Sequence, residues 1–156
     1  MKKFNFNLQS VLDHRLLLED REQEKLHKIQ HEIGLAEAGR EQLRNQIHGL
    51  RLQLAQPESG EINMESVLQS VRYIGKLDND LAVLTRKIAQ LEQQKRSQSD
   101  MLLKARRNRE VLENVKEKEL AQYEREAGVM EQKLLDELAV VKFASQDEQN
   151  LPASKH

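Results

Sequence analysis

The sequence predicts an all-α fold, a two-helix antiparallel coiled-coil hairpin with the second helix much longer than the first. Three observations carry that reading. Apolar residues recur at alternating three- and four-residue spacing over most of the chain, which lays one seam along one face of a helix. Helix breakers gather at a single place before the tail, Ala55-Gln56-Pro57-Glu58-Ser59-Gly60-Glu61. Proline lacks a backbone donor and clashes with the preceding turn, and glycine accepts positive φ, so together they end one helix and permit a reversal. Finally, 33% of the residues are charged and only 3% aromatic, the profile of long helices rather than of a core that encloses a pocket.

The first helix is expected over 4–55, roughly 75 Å at 1.5 Å per residue. Its seam is Leu26, Ile29, Ile33, Ala36, Arg40, Leu43, Ile47, Leu50 and Leu54, with Arg40 the one polar member. The first third is weaker: Leu8 and Leu12 are followed by Arg15, Glu19 and Glu22, and Leu18 joins only if a four-residue step precedes Leu26. This end is expected to be looser or to bind something.

The turn occupies 55–61 and the second helix 62–145, with Asn63 and Ser66 as capping groups and no breaker until about Ser145. Its seam runs Val67, Ser70, Ile74, Leu77, Leu81, Leu84, Ile88 and Leu91, then Lys95, Gln98, Leu102, Ala105, Arg109 and Leu112. Paired outward from the turn, partners' numbers sum to 117: Leu50 with Val67, Leu43 with Ile74, Ile33 with Leu84. Small Ala36 then meets large Leu81, and large Leu12 meets small Ala105, which keeps layer volume even. Glu22 and Lys95 share a polar layer that pins the register, and Arg40 faces Leu77 within reach of Asp78.

In this register Phe4 lies opposite Glu113, which leaves 114–145 as an overhang without an intramolecular partner. After a four-residue step at Lys116 the overhang still carries Leu120, Tyr123, Ala127, Met130, Leu134 and Val141 at helical spacing, interrupted by Glu137. An isolated helix is marginal in water, and each exposed side chain forgoes roughly 1.5–3 kcal/mol of burial. Something is expected to cover that stripe. Residues 146–156 read as a disordered tail.

Composition also excludes functions. A net charge of −1 gives no general attraction to nucleic acid or to anionic lipid. The distribution is uneven, however: Lys104, Arg106, Arg107 and Arg109 form a basic knot, whereas Glu119 to Glu148 holds eight acids against three bases. With no cysteine there is no disulfide or thiolate chemistry. The basic start Met1-Lys2-Lys3 is not followed by an apolar stretch, and no apolar run approaches the ~20 residues that span a bilayer. A soluble, cytoplasmic protein without lipid insertion is expected.

His27 and His31 share a helical face at a spacing that suits a divalent metal, but no third ligand is indicated and a solvated face is the simpler reading. Two paired helices cannot desolvate carboxylates for acid–base work, and neither a nucleophile constellation nor a phosphate-cradling loop is present. No enzyme, cofactor or metal is expected. The basic knot reads either as a solvated, internally paired run or as a contact for an acidic protein. Lacking interleaved aromatics, it is a poor nucleic-acid site. Tyr73 flanks the seam, either packed along the partner helix or anchoring another protein.

Two motifs, Phe4-Asn5-Phe6-Asn7-Leu8 with Val11-Leu12, and the run from Arg109 through Leu112 and Tyr123 to Glu131-Gln132-Lys133-Leu134-Leu135-Asp136-Glu137-Leu138-Ala139, resemble the FliJ family of the bacterial flagellar type III export apparatus. The resemblance implies a non-enzymatic stalk similar to that of rotary ATPases. Its partners would be a hexameric export ATPase, the membrane export gate and export chaperones, placing the chain in the cytoplasm, peripherally at the inner membrane. Docking to the ATPase ring would fall to Arg106, Arg107, Arg109, Leu120, Tyr123, Met130, Glu131, Gln132, Lys133, Leu134, Asp136 and Glu137. Gate contact would fall to Tyr73 and Leu77. A structural coiled-coil adaptor that self-associates through the overhang is the alternative.

Overall fold

Two amphipathic stripes at helical spacing leave water most readily by meeting each other. The computed structural model describes residues 2–56, 63–150 and 152 and has that arrangement, with helix α1 at Gln9–Ala55 and helix α2 at Met64–Gln149. The second is much longer, 86 residues against 47, and no strand occurs among the described residues. The fold class is the one the periodicity predicts. The breakers Pro57, Glu58, Ser59, Gly60 and Glu61 lie outside the described residues. Immediately after them, Asn63 Oδ1 accepts a hydrogen bond from the Glu65 amide at 3.1 Å, satisfying one of the donors that a helix start leaves unpaired.

The chain divides into two compact units, one formed by Arg15–Arg107 and the other by the residues up to His14 with those from Asn108 onward. In Arg15–Arg107 the helices pair antiparallel, since Arg51 reaches Asp78, Glu22 takes Gln98, and Glu19 takes Arg106. Two clusters form its core. Ile33, Ala36, Ile88 and Leu91 make one, flanked by Ile29 and Leu84; Ile47, Ile74 and Leu77 make the other, flanked by Leu43, Leu50, Leu54 and Leu81.

These groupings displace the register by about one heptad from the sum of 117. Leu91 packs with Ile33 and Ala36, whereas the sum places it opposite Leu26; a Cβ at Gly39 would meet Leu84 Cδ2 at 3.4 Å, whereas the sum puts Leu84 opposite Ile33. A seam that repeats every seven residues superposes on itself when it slides by seven, so periodicity alone fits both registers. A cysteine pair distinguishes them: Leu50→Cys with Ile74→Cys should oxidise within one chain, and Leu50→Cys with Val67→Cys should not. Seven residues are roughly 10 Å of helix, beyond the reach of a disulfide. Equal yields on non-reducing gels would overturn the register.

The polar layer changes partners for the same reason. Glu22 meets Gln98 rather than Lys95: the Gln98 amide donates to the Glu22 carboxylate and, at 3.0 Å, to the Glu22 carbonyl, while Lys25 pairs with the carboxylate at 3.3 Å. Likewise Arg51 rather than Arg40 reaches Asp78, at 3.5 Å. The Gln98 amide holds the Glu22 carboxyl below the usual carboxylate range, against partial desolvation and with help from Lys25. A group whose folded pKa is depressed contributes stability that is present above its unfolded value of about 4.3 and is lost as pH falls through the folded value. Thermal melts should therefore show a difference between wild type and Glu22→Gln that narrows on acidification below about pH 4. A difference independent of pH would remove Glu22 from this account.

In the other unit α1 begins at Gln9, later than its apolar spacing predicts, and residues 2–6 run without helix beside α2. Asparagine, present at positions 5 and 7, is a residue type that disfavours helix interiors, and Phe6 turns inward to become 4% exposed. The Gln9 amide closes the turn by donating to the Phe6 carbonyl at 3.1 Å. Lys116 Nζ lies 6.0 Å from the Phe6 ring centre and donates to Gln9 Oε1 at 2.7 Å. An extended segment advances roughly 3.3 Å per residue against 1.5 Å for a helix. The cover over α2 reaches Tyr123, where the Phe4 ring sits 5.5 Å away, instead of stopping near Glu113; most of that gain comes from the one-heptad displacement and the remainder from the extended segment. At the other end α2 continues past Ser145 to Gln149, because no breaker intervenes before Pro152.

Candidate docking surface

Beyond the covered section, every side chain of α2 from Gly128 to Gln149 is exposed. Met130 is 61% exposed, Leu134 58% and Phe143 68%; Val129, Leu135, Leu138, Val140 and Val141 are similarly open. Met130, Leu134, Leu138 and Val141 follow one another at three- and four-residue steps and so share a face. Of the charged and polar residues expected to dock, Glu131, Lys133 and Glu137 stand exposed, while the Gln132 amide donates to Asp136 Oδ1 at 3.0 Å across one turn. The result is a run of exposed apolar side chains interleaved with charged and polar ones.

Leu120 and Tyr123 are placed differently from Met130 and Leu134. Both are half-buried, and the Tyr123 hydroxyl donates to the Lys2 carbonyl at 2.5 Å while its ring meets Phe4. Tyr123 thus belongs to the contact with residues 2–6. The basic run separates as well. Arg106 pairs with Glu19 at 3.2 Å, and Arg109 pairs with Glu113 at 2.6 Å and Glu110 at 4.0 Å; Lys104 and Arg107 are exposed with no ion pair among the described residues. Of the residues expected at an export gate, Tyr73 is exposed and borders a shallow cleft of about 290 Å³ with Gln46, Gly49, Leu50 and Gln53. Leu77 is 5% exposed in the hairpin core, where it holds the two helices together and offers no surface.

Reading along the predicted seam passed over Leu135, Leu138, Val140 and Phe143. The three-and-four rule selects one face, whereas this end of α2 is apolar around much of its circumference, and local apolar density was the signal for it. The strap formed by residues 2–6 was also missed. Phe4-Asn5-Phe6-Asn7 alternates apolar and polar residues with period two, the pattern of extended rather than helical chain.

Against known families, the chain matches the model of the flagellar FliJ protein over residues 4–148. It belongs to the FliJ family. The match includes α1, Phe4 to Phe6 of the strap and α2 as far as Glu148, so FliJ membership makes the chain a component of the flagellar export apparatus. Comparison with curated proteins and with solved structures returns no match. Among the described residues, no helix of this FliJ-family chain is long and apolar enough to cross a membrane, and no group of three or more His, Asp or Glu side chains is placed to hold a metal.

Proposed function

We propose that this FliJ-family chain is a non-enzymatic stalk of flagellar type III export, working in the cytoplasm and peripherally at the inner membrane. The exposed end of α2 docks into the hexameric export ATPase. Other surfaces, Tyr73 and its cleft among them, meet the export gate and escorted chaperones. One observation carries the reading: from Gly128 to Gln149 nothing among the described residues covers an apolar helix, within a chain of an export family. A helix left in this state favours a partner that buries it. Lys104 and Arg107 are free to add attraction to acidic groups on the partner, which salt would screen.

The test is titration of the purified chain against the hexameric export ATPase, following binding and ATP turnover together with light scattering of the chain alone. A monomer that binds the ring and stimulates turnover is the expected result. A chain that dimerises and ignores the ring would instead support the self-associating adaptor.

A further inference from the structure

Among the described residues, the charged side chain that the hairpin buries is Glu19, 9% exposed, and its carboxylate accepts a hydrogen bond from Arg106 Nε at 3.2 Å across the two helices of Arg15–Arg107. Three residues further along α1, Glu22 takes the Gln98 amide and Lys25. Both carboxylates lie in the polar stretch of the seam, outside the two apolar clusters.

The apolar layers accept two registers one heptad apart, so the selection between them falls to residues outside those layers. The polar contacts differ in how well they select. After a slide by seven residues Lys95 stands opposite Glu22, and that carboxylate keeps a polar partner in either register. Glu19 does not keep its guanidinium: Ser99, one heptad before Arg106, takes that place, and Leu12, one heptad before Glu19, comes opposite Arg106. A buried carboxylate that exchanges a guanidinium for a hydroxyl loses a charge-assisted bond that offset its desolvation, and a polar residue in a repetitive seam fixes register for that reason. We propose that the Glu19–Arg106 pair is the register lock of the hairpin. It selects, from two alignments that the apolar seam fits alike, the one in which Leu50 packs with the cluster of Ile74.

The chain has no cysteine, so oxidation of Leu50→Cys with Ile74→Cys reports the observed register and oxidation of Leu50→Cys with Val67→Cys the slipped one. Each pair is made in the wild-type background, in Arg106→Glu, which sets two carboxylates against each other, and in the exchange of Glu19→Arg with Arg106→Glu, which restores the pair with its signs reversed. The ratio of slipped to observed product should rise roughly tenfold or more in Arg106→Glu and return to the wild-type value in the exchange. Circular dichroism shows whether each variant is folded. If Arg106→Glu loses its helix, Arg106→Gln, which removes the cation and adds no charge, carries the test with a rise of roughly threefold or more. A ratio unchanged in the folded single variant, even with a lowered melt, makes the pair a stabilising contact only and overturns the lock. So does a raised ratio that the exchange leaves raised, because the effect would then lie with one side chain rather than with the pair.

Discussion

Replacing Met130 and Leu134 together by serine should weaken docking to the export ATPase roughly 30- to 1000-fold and leave the thermal melt of the chain unchanged. Both side chains are more than half exposed, so the folded chain loses almost nothing with them. A ring that buries both would lose roughly 2–4 kcal/mol of apolar burial, which converts to that change in Kd. Binding isotherms paired with melts for wild type and variant check the claim. A folded variant with undiminished affinity would move the docking site away from this end of α2. Leu120→Ser suits the test less well, because Leu120 is half-buried and its loss would also disturb the fold.

Ile47→Ala should lower the stability of the chain by about 2–4 kcal/mol, the range for truncating a buried isoleucine. At 4% exposure Ile47 is among the most deeply buried side chains, in contact with the cluster of Ile74 and Leu77. A two-helix core is thin and can partly collapse onto the gap, which places the cost in the lower half of the usual span. The same truncation at exposed Leu52, one turn further along α1, should change stability by less than about 0.5 kcal/mol. Circular-dichroism melts in urea would report both. Equal costs at the two positions would mean that Ile47 does not face α2.

These contrasts follow the division between what the residues state locally and what the packing adds. Ile33, Ile47, Ile74 and Ile88 can be assigned to the inside from spacing alone, and Asn63 can be recognised as a cap, because helical periodicity and capping are properties of a few neighbouring residues. The open end of α2 is legible on the same basis. The run from Met130 to Val141 is apolar at helical spacing, and α1 is too short to cover it. Its extent is less legible, since Leu135, Leu138 and Phe143 lie off the seam that spacing selects.

What the sequence alone determined, then, is two helices of unequal length, the faces they bury, and an apolar end on the longer one. Tertiary structure decided the register, the companions of Glu22, and the seat of Phe4 and Phe6. The physical reason differs between them. A heptad seam is unchanged by a slide of one repeat, so every residue of α1 fits two partners equally well by pattern; the choice falls to how Leu84, Leu91 and Gln98 pack against the other helix. The strap depends on contacts between residues more than a hundred positions apart, Lys2 with Tyr123 and Gln9 with Lys116, and no local preference of Phe4 or Phe6 specifies where on α2 they come to rest.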